Sequence, residues 1–313
     1  MKAVTIAGGE LAWTDHPDPV PGDTELLVAV RAAGVNAADL MQRRGFYPAP
    51  PGSPLDIPGL ELAGEVVAAG AHASRFEIGA RVMGVVGGGA QGELAVIDEG
   101  GALGVPDDLS WEEAGGFPEA FSTAYDALFT QCGLAMGDRV LVTAAAGGVG
   151  SAGVQLAVAT GATTVASVRS AELRNAVAAL GVAAAVGPDE ALALGPFDVV
   201  LELVGAESLT GAMGALAVGG RVCVIGVGGG AQLELDLLGL MHKRARISGS
   251  TLRARSRREK ASVAAAVESH VLPLMRAGRL RVPVEATFEM ARAADAYERF
   301  AAGGKFGKIV LVN

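Results

Sequence analysis

The sequence predicts an α/β protein made of a β-rich part and a doubly wound parallel sheet. Residues 1–97 alternate short strand-like runs with turns rich in proline and glycine, which is typical of a small, glycine-bent antiparallel sheet or barrel. From about residue 109 to residue 250, strand-like and helical segments alternate, which is typical of a parallel sheet with helical crossovers. A chain of 313 residues exceeds the usual length of one domain, so two domains are expected.

The β-rich part begins with strand-like runs at Ala3–Ile6 and Leu26–Val30. Asn36 is expected to N-cap a short helix, AADLMQRR. Four prolines exclude regular structure between residues 48 and 54, which places Phe46 and Tyr47 at the start of a stiff loop. A further strand is predicted in PGLELAGEVVAAG.

Two more strand-like runs, Arg81–Val86 and Glu93–Ile97, flank a triple glycine. They are compatible with a hairpin or with a loop that joins separate strands. Beyond them the pattern becomes helical. Ser110 and Glu113 have the spacing of a capping box, and Pro118 is expected to begin the next helix.

The parallel sheet has five or six strand candidates. They are Val140–Thr143, Thr163–Val168, Val182–Val186, Val199–Leu203, Val222–Ile225 and Ile247–Ser250. After them, the sequence predicts a strand near Pro283–Phe288, a helix in ARAADAYERFAAG and a terminal strand at Lys308–Val312. These last elements would return to the sheet of the first part.

Residues 139–169 carry the strongest local signal. A buried strand, Val140–Val142, is followed by the glycine cluster GGVG, a helix that ends at Gly161 and a second β-branched run. This order forms the βαβ unit of a dinucleotide site. Glycine lets the backbone approach a pyrophosphate, which then lies on the N–H groups of the new helix. Two registers fit the motif: Gly148, Gly150 and Gly153, or Ala144, Gly147 and Gly150.

Two other interpretations of this stretch compete. A glycine-rich turn can occur without a nucleotide, and the uncharged run Val140–Val168 is long enough to span a bilayer. Five glycines together with Thr, Ser and Gln argue against a continuous apolar helix. The dinucleotide site is therefore the favoured interpretation.

The end of the second strand predicts NADPH rather than NADH. Sites that prefer NAD place a carboxylate there, and it receives the ribose hydroxyls. Here Arg169 occupies that position, with Ser170 beside it and Arg174 one helical turn further. A guanidinium suits a 2′-phosphate. An ordinary surface arginine is the alternative interpretation.

Composition excludes several classes of protein. Half of the residues are hydrophobic and 19% are charged, which argues against disorder. The formal net charge of −9 argues against nucleic acid as the main partner, although the segment Lys243–Lys260 is rich in basic residues. Cys132 and Cys223 cannot build a disulfide framework or a four-thiolate zinc site. The first apolar stretch is too short for a signal peptide, so a cytoplasmic location is expected.

No metal site is predicted. The four histidines (His16, His72, His242 and His270) lack zinc spacing with cysteine or carboxylate. Hydride transfer requires donor and acceptor carbons held close together and water kept away. A quinone or an activated alkene can accept hydride in this way when hydrogen-bond donors hold its oxygen. Asn36 and Tyr47 are the candidate donors; a helix cap and a packed loop aromatic are their alternative roles.

Several motifs along the chain resemble one enzyme family. They are AAGVNAADLMQRRGFYPAPPG, PGLELAGEV, FPEAFSTAYDALF, AAAGGVG, GSTLRARS and GKIVLVN. The chain resembles the zeta-crystallin-like quinone oxidoreductases of the medium-chain dehydrogenase/reductase superfamily. PEAFSTA and STLRARS are most similar to the tumour-suppressor-inducible branch.

The resemblance implies a GroES-like catalytic domain at residues 1–116 and 255–313, with a Rossmann domain at residues 117–254 between them. It also implies NADPH as cofactor and a homodimer, often formed by Rossmann sheet edges near Ile247–Leu252. Zinc-containing relatives carry a cysteine before the short helix and a histidine in P-G-H-E. Here these regions read Gly34-Val35-Asn36 and Pro58-Gly59-Leu60-Glu61, so no catalytic zinc is expected.

The resemblance also assigns individual residues. Asn36 and Tyr47 would line the substrate side, and Thr123 would contact the nicotinamide ribose. The pyrophosphate would be received by Gly147, Gly148, Val149 and Gly150, and Ser170 would lie by the 2′-phosphate. The nicotinamide end would be contacted by Val227, Gly228, Ser250, Thr251 and Leu252. Lys308 would reach the cofactor from the last strand.

Three positions depart from the family pattern. The family usually has Gly-Ser and then a lysine; here Arg169-Ser170 is followed by Arg174, and phosphate recognition is expected to rest on Arg169. Gly187-Pro188 replaces an Asn-Tyr pair, so the usual adenosine contact is not expected. Gln91-Gly92 replaces Tyr-Ala, which is expected to open the substrate pocket.

The leading prediction is a zinc-independent oxidoreductase that transfers hydride from NADPH to a quinone. Tyr47 or water would supply the proton. A 2-alkenal or enoyl reductase on the same scaffold is the first alternative, because a fold does not determine its substrate. A non-catalytic NADPH-binding sensor or structural protein is the second.

Overall fold

The computed structural model describes residues 1–313 and divides into two compact units. The β-rich unit comprises Met1–Glu119, Leu252–Gly303 and Lys308–Asn313, and the nucleotide unit comprises Ala120–Thr251 and Gly304–Gly307. The first change of unit falls at residue 119 rather than 116, and the second falls at residue 251 rather than 254. The segment Gly304–Gly307 was predicted to belong to the catalytic domain, but it joins the nucleotide unit.

A backbone contact explains this difference. The N–H of Gly307 donates to the carbonyl oxygen of Ala146 at 2.8 Å, and Gly307 forms an isolated parallel bridge with Gly147. Both partners lie in the glycine turn of the nucleotide unit. Because the paired residues are far apart in the chain, no local sequence pattern indicates the pairing.

The structure contains fifteen strands and eleven α-helices. In chain order, the strands are β1 (Lys2–Ala7), β2 (Glu10–Asp15), β3 (Glu25–Val35), β4 (Glu61–Ala69), β5 (Arg81–Val85), β6 (Leu94–Asp98), β7 (Ala102–Gly104), β8 (Arg139–Val142), β9 (Thr163–Ser167), β10 (Ala184–Val186), β11 (Phe197–Glu202), β12 (Leu216–Val224), β13 (Arg246–Gly249), β14 (Val284–Glu289) and β15 (Lys308–Val312). The helices are α1 (Ala37–Arg43), α2 (Trp111–Gly116), α3 (Pro118–Tyr125), α4 (Gly148–Ala159), α5 (Arg174–Ala178), α6 (Pro188–Ala193), α7 (Ala206–Gly214), α8 (Leu237–Lys243), α9 (Arg257–His270), α10 (Leu272–Arg276) and α11 (Ala293–Ala301).

The long strand β3 organises the β-rich unit. It belongs to a seven-stranded sheet with the order β14-β15-β3-β4-β5-β7, and β6 also pairs with β3. The strands β14 and β15 are parallel, and the other pairs are antiparallel. Ile309 of β15 lies opposite Val35 of β3. The predicted return of the C-terminal strand to the first sheet is therefore confirmed.

The two strands on either side of the triple glycine do not pair with each other. The strand β5 pairs with β4 and β7, whereas β6 lies along the first half of β3, with Asp98 opposite Glu25. Of the two interpretations of Arg81–Val86 and Glu93–Ile97, the loop between separate strands is correct and the hairpin is wrong. Pairing with distant strands decides this outcome.

The nucleotide unit contains one fully parallel sheet with the order β10-β9-β8-β11-β12-β13. All six predicted strands are present, and helices connect them. The doubly wound prediction is confirmed. The direction of winding changes between β8 and β11, and in folds of this kind ligands bind outside the carboxyl ends of the strands at such a point.

The predicted helix boundaries are also present. The hydroxyl of Ser110 accepts the N–H of Glu113, and the Glu113 carboxylate accepts the N–H of Ser110. Asn36 is the N-cap of α1, Pro118 begins α3, and Gly161 follows α4 with a φ of +84°. These features are local, so the sequence alone locates them.

Each unit has its own apolar core. The β-rich core includes Leu26, Val28, Leu62, Tyr297 and Ile309, and the nucleotide core includes Leu141, Val165, Phe197, Val200 and Val222. None of the helices has the length and apolar character needed to cross a membrane. The uncharged stretch Val140–Val168 is divided among β8, α4 and β9.

Candidate cofactor and substrate sites

The glycine turn between β8 and α4 is the first candidate site. Ala144 adopts a positive φ of 46° in this turn. A Cβ on Gly150 would lie 2.4 Å from the carbonyl oxygen of Ala144 and 2.7 Å from the Cα of Ala145. Neither of these backbone atoms can move aside without reshaping the turn. Gly150 is therefore required for the close approach of helix and turn.

The glycines of the two registers make different contacts. Gly150 belongs to both, and a Cβ on Gly153 would lie 2.5 Å from Cδ2 of Leu201 in β11. A Cβ on Gly147 would lie 3.5 Å from the Ala144 oxygen, which is an ordinary contact. Gly153 thus serves the packing of the helix on the sheet, and Gly150 serves the turn. The two registers describe different contacts of one structure.

The beginning of α4 suits an anion. Gly147 is the N-cap, and the N–H groups of Gly148, Val149 and Gly150 are in the first turn, where a helix offers no internal acceptor. The first turn carries no acidic residue that would compete with an anion. The partial positive charge of a helix N-terminus favours a phosphate in such a position. The four residues predicted to receive the pyrophosphate therefore fit this group.

A buried carboxylate lies at the point where the sheet reverses. Glu202 ends β11 and is fully buried, and its Oε1 accepts from the hydroxyl of Thr143 at 3.1 Å and that of Ser208 at 2.6 Å. The same oxygen accepts from the N–H groups of Val204 and Gly205 at 2.7 and 2.9 Å. These bonds fix the loop after β11 next to the turn after β8. Sequence reasoning did not identify Glu202.

The basic residues after β9 lie in two different environments. Arg169 is exposed and makes no hydrogen bond or ion pair. Arg174, at the start of α5, is partly buried, and its Nε donates to the carbonyl oxygen of Val168 at 3.3 Å. Ser170 is partly buried between them. The end of β9 thus presents two guanidinium groups, and no ion pair with a carboxylate neutralises either of them.

The residues predicted at the nicotinamide end lie on several segments, and all but Leu252 belong to the nucleotide unit. Thr123 is buried on α3, and Val227 and Gly228 are exposed in the loop after β12. The hydroxyl of Ser250 donates to Oδ2 of the buried Asp126 at 2.6 Å, and Thr251 beside it is exposed. Leu252 is buried and begins the second stretch of the β-rich unit. Their contacts with a cofactor stay predictions.

A buried ionic cluster is the second candidate site and lies in the β-rich unit. The ammonium group of Lys308 donates to Oε1 of Glu61 at 2.6 Å and to Oδ1 of Asn36 at 2.7 Å. Asn36 in turn donates through Nδ2 to the same Glu61 oxygen at 2.8 Å. Lys308 is 4% exposed and Glu61 is fully buried. We call these three residues the Glu61 cluster.

The Glu61 cluster occupies the donors of two predicted site residues. Asn36 Nδ2 also donates to the carbonyl oxygen of Gly34 at 3.2 Å, so both amide hydrogens have acceptors within the protein. Lys308 has a third acceptor, the Val35 oxygen, at 3.4 Å. A substrate or cofactor would have to displace one of these bonds. The structure therefore gives both side chains a role within the β-rich unit, and their predicted ligand contacts stay predictions.

The other oxygen of Glu61 reaches a helix. Its Oε2 accepts the N–H of Glu119 in the first turn of α3 at 2.8 Å. One carboxylate thus connects the ends of β3, β4 and β15 with the first turn of α3. Glu61 was quoted within a motif but was not predicted as a site residue. The apolar stretch LELAGEVV contains two acids, Glu61 and Glu65, and an acid in such a strand is the signal that indicates a buried charge.

Tyr47 lies beside a buried arginine. Arg253 is 2% exposed and donates to the carbonyl oxygens of Tyr47 and Gly87, both at 2.8 Å, and to Oε1 of Gln42 at 2.5 Å. Its guanidinium carbon lies 5.2 Å from the centroid of the Tyr47 ring. Burial, and then the charge of Glu119, raise the pKa of the Tyr47 phenol, and Arg253 opposes this shift. Tyr47 therefore carries its proton at neutral pH.

A second buried acid lies at the start of α1. Asp39 is fully buried and accepts the N–H groups of Asn36 at 2.8 Å and Gly59 at 3.1 Å. Burial raises the pKa of Asp39 to about 7, although these hydrogen bonds and the charges of Lys308 and Arg253 oppose the shift. Through the hydrogen bond from the Asn36 N–H, Asp39 fixes the backbone of a residue whose side chain belongs to the Glu61 cluster.

Gln91 stands where the family usually has a tyrosine, but the smaller side chain does not leave an open space in the substrate pocket. Its side chain is fully buried, and its Oε1 accepts the hydroxyl of Tyr297 at 3.0 Å. Its Nε2 is buried without a hydrogen-bond partner. The expectation that Gln91 opens the substrate pocket is not supported, because the amide packs inward against α11.

Family models match both units. The model of the alcohol dehydrogenase GroES-like domain matches residues 22–130, and a model described as zinc-binding dehydrogenase matches residues 161–311. The fold and the candidate sites together define an oxidoreductase with a nucleotide-binding unit.

Curated relatives agree with this class. A quinone oxidoreductase of Sus scrofa is 30% identical over 312 residues, which is 96% of this chain and 92% of that protein. Polyketide synthase GfsB of Streptomyces halstedii is 33% identical over 306 residues, and a synaptic vesicle membrane protein VAT-1 homolog-like protein of Mus musculus is 42% identical over 160 residues. These matches cover 96% and 50% of this chain, but only 5% and 38% of the two relatives.

A solved structure extends the agreement. Mycobacterial Rv1454c complexed with NADPH is similar with a TM-score of 0.87 and 27% identity, and all of both chains is covered. The chain therefore belongs to the medium-chain dehydrogenase/reductase superfamily, as its motifs predicted. Quinone oxidoreductases are among its full-length relatives.

The residues do not fit a catalytic zinc ion. The two regions where zinc-containing relatives carry a cysteine and a histidine read Gly34-Val35-Asn36 and Pro58-Gly59-Leu60-Glu61 here, and neither contains a cysteine or a histidine. In the first region, Asn36 is bound to Glu61 and to the Lys308 ammonium, and a cation beside that ammonium would be repelled. No group of three or more His, Cys, Asp or Glu side chains forms a metal site in residues 1–313.

Proposed function

We propose that the protein is a zinc-independent, NADPH-dependent oxidoreductase of the zeta-crystallin-like branch that transfers hydride to a quinone. The Glu61 cluster is the observation that carries this proposal. Alcohol oxidation on this scaffold uses a metal to polarise the substrate oxygen. A quinone is already electrophilic and needs only hydrogen-bond donors at its oxygens. A side chain set that replaces metal ligands with a buried ion pair suits the second kind of substrate.

The residues that would hold the cofactor are in the nucleotide unit. The first-turn N–H groups of α4 would bind the pyrophosphate, and the two guanidinium groups after β9 would bind the 2′-phosphate. Bound NADPH supplies the hydride. Both arginines are free of ion pairs, which supports a phosphorylated ribose rather than a free one.

The substrate side would rest on Tyr47 and Asn36. The Tyr47 phenol is protonated at neutral pH, as tyrosine ordinarily is, and burial raises its pKa further, so it can donate a hydrogen bond to a substrate oxygen. Arg253 fixes the backbone at Tyr47 through its carbonyl oxygen. Asn36 is held by Glu61 and Lys308 and would reorient only at the cost of one of these bonds. Tyr47 is therefore the stronger candidate for proton delivery.

An activated alkene is the second candidate acceptor. The chain matches part of a polyketide synthase over 96% of its own length, so the same scaffold occurs outside quinone oxidoreductases. Hydride addition to a conjugated alkene needs the same donor groups at the carbonyl oxygen.

We also propose a homodimer. The strand β13 is an edge strand, and Ile247 on it is 38% exposed. Leu237, Leu238 and Met241 on the neighbouring α8 are more than 60% exposed. Apolar side chains next to an open sheet edge favour association. Sedimentation of the wild type and of Ile247→Lys tests this proposal: the variant is expected to be monomeric.

The test of the proposed activity follows NADPH oxidation at its near-ultraviolet absorbance. A 1,2-quinone, a 1,4-quinone and an enone serve as acceptors, with NADH in parallel and with a metal chelator present. We expect quinone-dependent turnover that prefers NADPH and persists with chelator. The double variant Arg169→Gln, Arg174→Gln should raise KM for NADPH about tenfold or more, and the exposed control Arg258→Gln should not.

The other outcomes are also informative. Turnover with the enone alone would make the protein an alkene reductase. Nucleotide binding without turnover of any acceptor would contradict the enzyme and favour a sensor or structural role.

A further inference from the structure

The ends of β9 and β10 lie side by side in the nucleotide unit. The N–H of Val168, just after β9, donates to the carbonyl oxygen of Val186 at the end of β10 at 2.8 Å. Gly187 follows directly. Arg174 lies across both ends: its Nε donates to the Val168 oxygen, and its Nη2 lies 3.0 Å from the place where a Cβ of Gly187 would be.

Gly187 is not required by its own backbone. Its φ of −66° and ψ of 162° are extended values that any residue adopts. It is the N-cap of α6, a position at which Asp, Asn or Ser is usual. What glycine provides here is space: the Cβ of another residue would lie 3.0 Å from Nη2 of Arg174, closer than an ordinary contact, so the guanidinium would have to shift from its present position.

The guanidinium that fills this space has unused donors. The Nε of Arg174 is its only hydrogen-bonding nitrogen, which leaves both terminal nitrogens available. The Arg174 guanidinium forms no ion pair, since no carboxylate oxygen lies within 4.0 Å of it. Arg169, in contrast, is exposed and unattached, so binding a phosphate would cost it more side-chain entropy.

We infer that Gly187 is a positioning residue for recognition of the ribose 2′-phosphate, because it leaves the space in which Arg174 is held ready. Arg174, rather than Arg169, is then the main phosphate ligand. This inference rests on the proposed use of NADPH and adds a residue that determines cofactor specificity. It predicts that a side chain at position 187 weakens phosphate recognition only through Arg174.

Calorimetric titration of the full chain with adenosine 2′,5′-bisphosphate and with 5′-AMP tests the inference without requiring turnover. The ratio of the two affinities reports the 2′-phosphate alone. The variants are Gly187→Val, Gly187→Ala, Arg174→Gln, Arg169→Gln and the combination of Gly187→Val with Arg174→Gln. Gly214→Ala is the control, because a Cβ there has nothing within 4 Å. Thermal unfolding establishes that each variant is folded.

We expect Arg174→Gln to lower the ratio about tenfold, as the loss of a charged hydrogen bond does. Gly187→Val should lower it several-fold, and Gly187→Ala should have a smaller effect because Arg174 can shift slightly. Gly187→Val should add nothing once Arg174 is absent. Binding of 5′-AMP and the Gly214→Ala control should not change.

Three results would overturn the inference alone. The affinity ratio could be unchanged in Gly187→Val, or Gly187→Val could lower it as much in the Arg174→Gln background as in the wild type. Arg169→Gln could also lower the ratio more than Arg174→Gln does. A wild-type protein that binds both nucleotides equally would instead overturn the proposed NADPH preference, and the inference with it.

Discussion

The glycine turn and the Glu61 cluster are assembled in opposite ways. The turn and the start of α4 are built from neighbouring residues, and backbone sterics determine which of them must be glycine. The Glu61 cluster joins side chains that are 25 and 247 positions apart in the chain. A site made by the local backbone leaves a motif in the sequence. A site made by tertiary packing leaves only isolated residues that look ordinary.

The two regions also depend on different forces. In the turn, a misplaced Cβ meets backbone atoms, so the cost is steric. In the Glu61 cluster, removal of one partner leaves a charge in a buried environment, so the cost is electrostatic.

The largest effect is expected from breaking the Glu61–Lys308 ion pair. Glu61→Ala leaves a buried ammonium and should lower the free energy of unfolding by about 3–5 kcal/mol. The combination of Glu61→Leu with Lys308→Met should cost less, because no unpaired charge remains. Urea unfolding measures both. Asp295→Ala, which breaks the exposed Arg292–Asp295 pair, is the control and should change stability by about 0.5 kcal/mol or less.

The ion pair would be unimportant to the fold if Glu61→Ala and the control behaved alike. In that case the Glu61 cluster would not depend on electrostatic pairing for its stability.

The second prediction concerns Asp39 and pH. Its pKa is about 7 in the folded state and near 4 in the unfolded chain. Between these values the folded protein holds a proton that the unfolded chain has lost, so the Asp39 contribution makes stability fall as pH rises from about 4 to 7. The pKa difference corresponds to about 4 kcal/mol at most.

Urea unfolding at a series of pH values measures this slope. Asp39→Asn should remove most of this pH dependence. Because the asparagine amide has only one oxygen, one of the two N–H groups that Asp39 binds loses its acceptor, and this loss lowers stability equally at every pH. Asp107→Asn, at an exposed position, is the control. An unchanged slope in Asp39→Asn would contradict the assignment of the proton to Asp39.

The third prediction compares two glycines of the turn. Gly150→Ala places a Cβ 2.4 Å from a backbone oxygen and should lower stability by about 1–3 kcal/mol. Gly147→Ala meets only an ordinary 3.5 Å contact and should cost less than about 1 kcal/mol. Thermal unfolding of both variants measures the difference. Equal costs would show that the turn adapts, and the steric account of this site would then be wrong.

The smallest effect is expected at a helix cap. Ser110→Ala removes the hydroxyl that accepts the Glu113 N–H and should cost about 1 kcal/mol. Ser110→Asp retains an acceptor and is the matched control, which should keep nearly full stability. The same unfolding measurement applies, and a loss in both variants would mean that packing rather than capping stabilises α2.

Much of the nucleotide unit could be predicted from the sequence. All six parallel strands, the helix after the glycine turn, the cap at Ser110 and the helix start at Pro118 follow from patterns within a few residues. In the β-rich unit, most strands were also predicted, but β2, β7 and the partners of β5 and β6 were not. Strand pairing depends on which distant segment supplies the complementary edge, and a single run of residues does not contain that information.

The site residues divide along the same line. Gly150 and the start of α4 were predicted because a turn that approaches a phosphate requires glycine locally. Glu61, Asp39, Glu202 and Gly307 were missed because each acts through residues brought close only by the fold. Arg174 was predicted, but its advantage over Arg169 depends on the carbonyl of Val168 and on the empty space at Gly187.

The sequence by itself determined the class of this protein: two units, a doubly wound sheet and a glycine turn suited to a pyrophosphate. These features arise from backbone sterics and from the periodicity of apolar residues, which act over short distances along the chain. Only the tertiary structure decided where the charges lie, because burial and pairing determine whether a charged group is neutralised, held ready or protonated. The Glu61 cluster and the Arg174–Gly187 contact exist only because the fold brings their residues together.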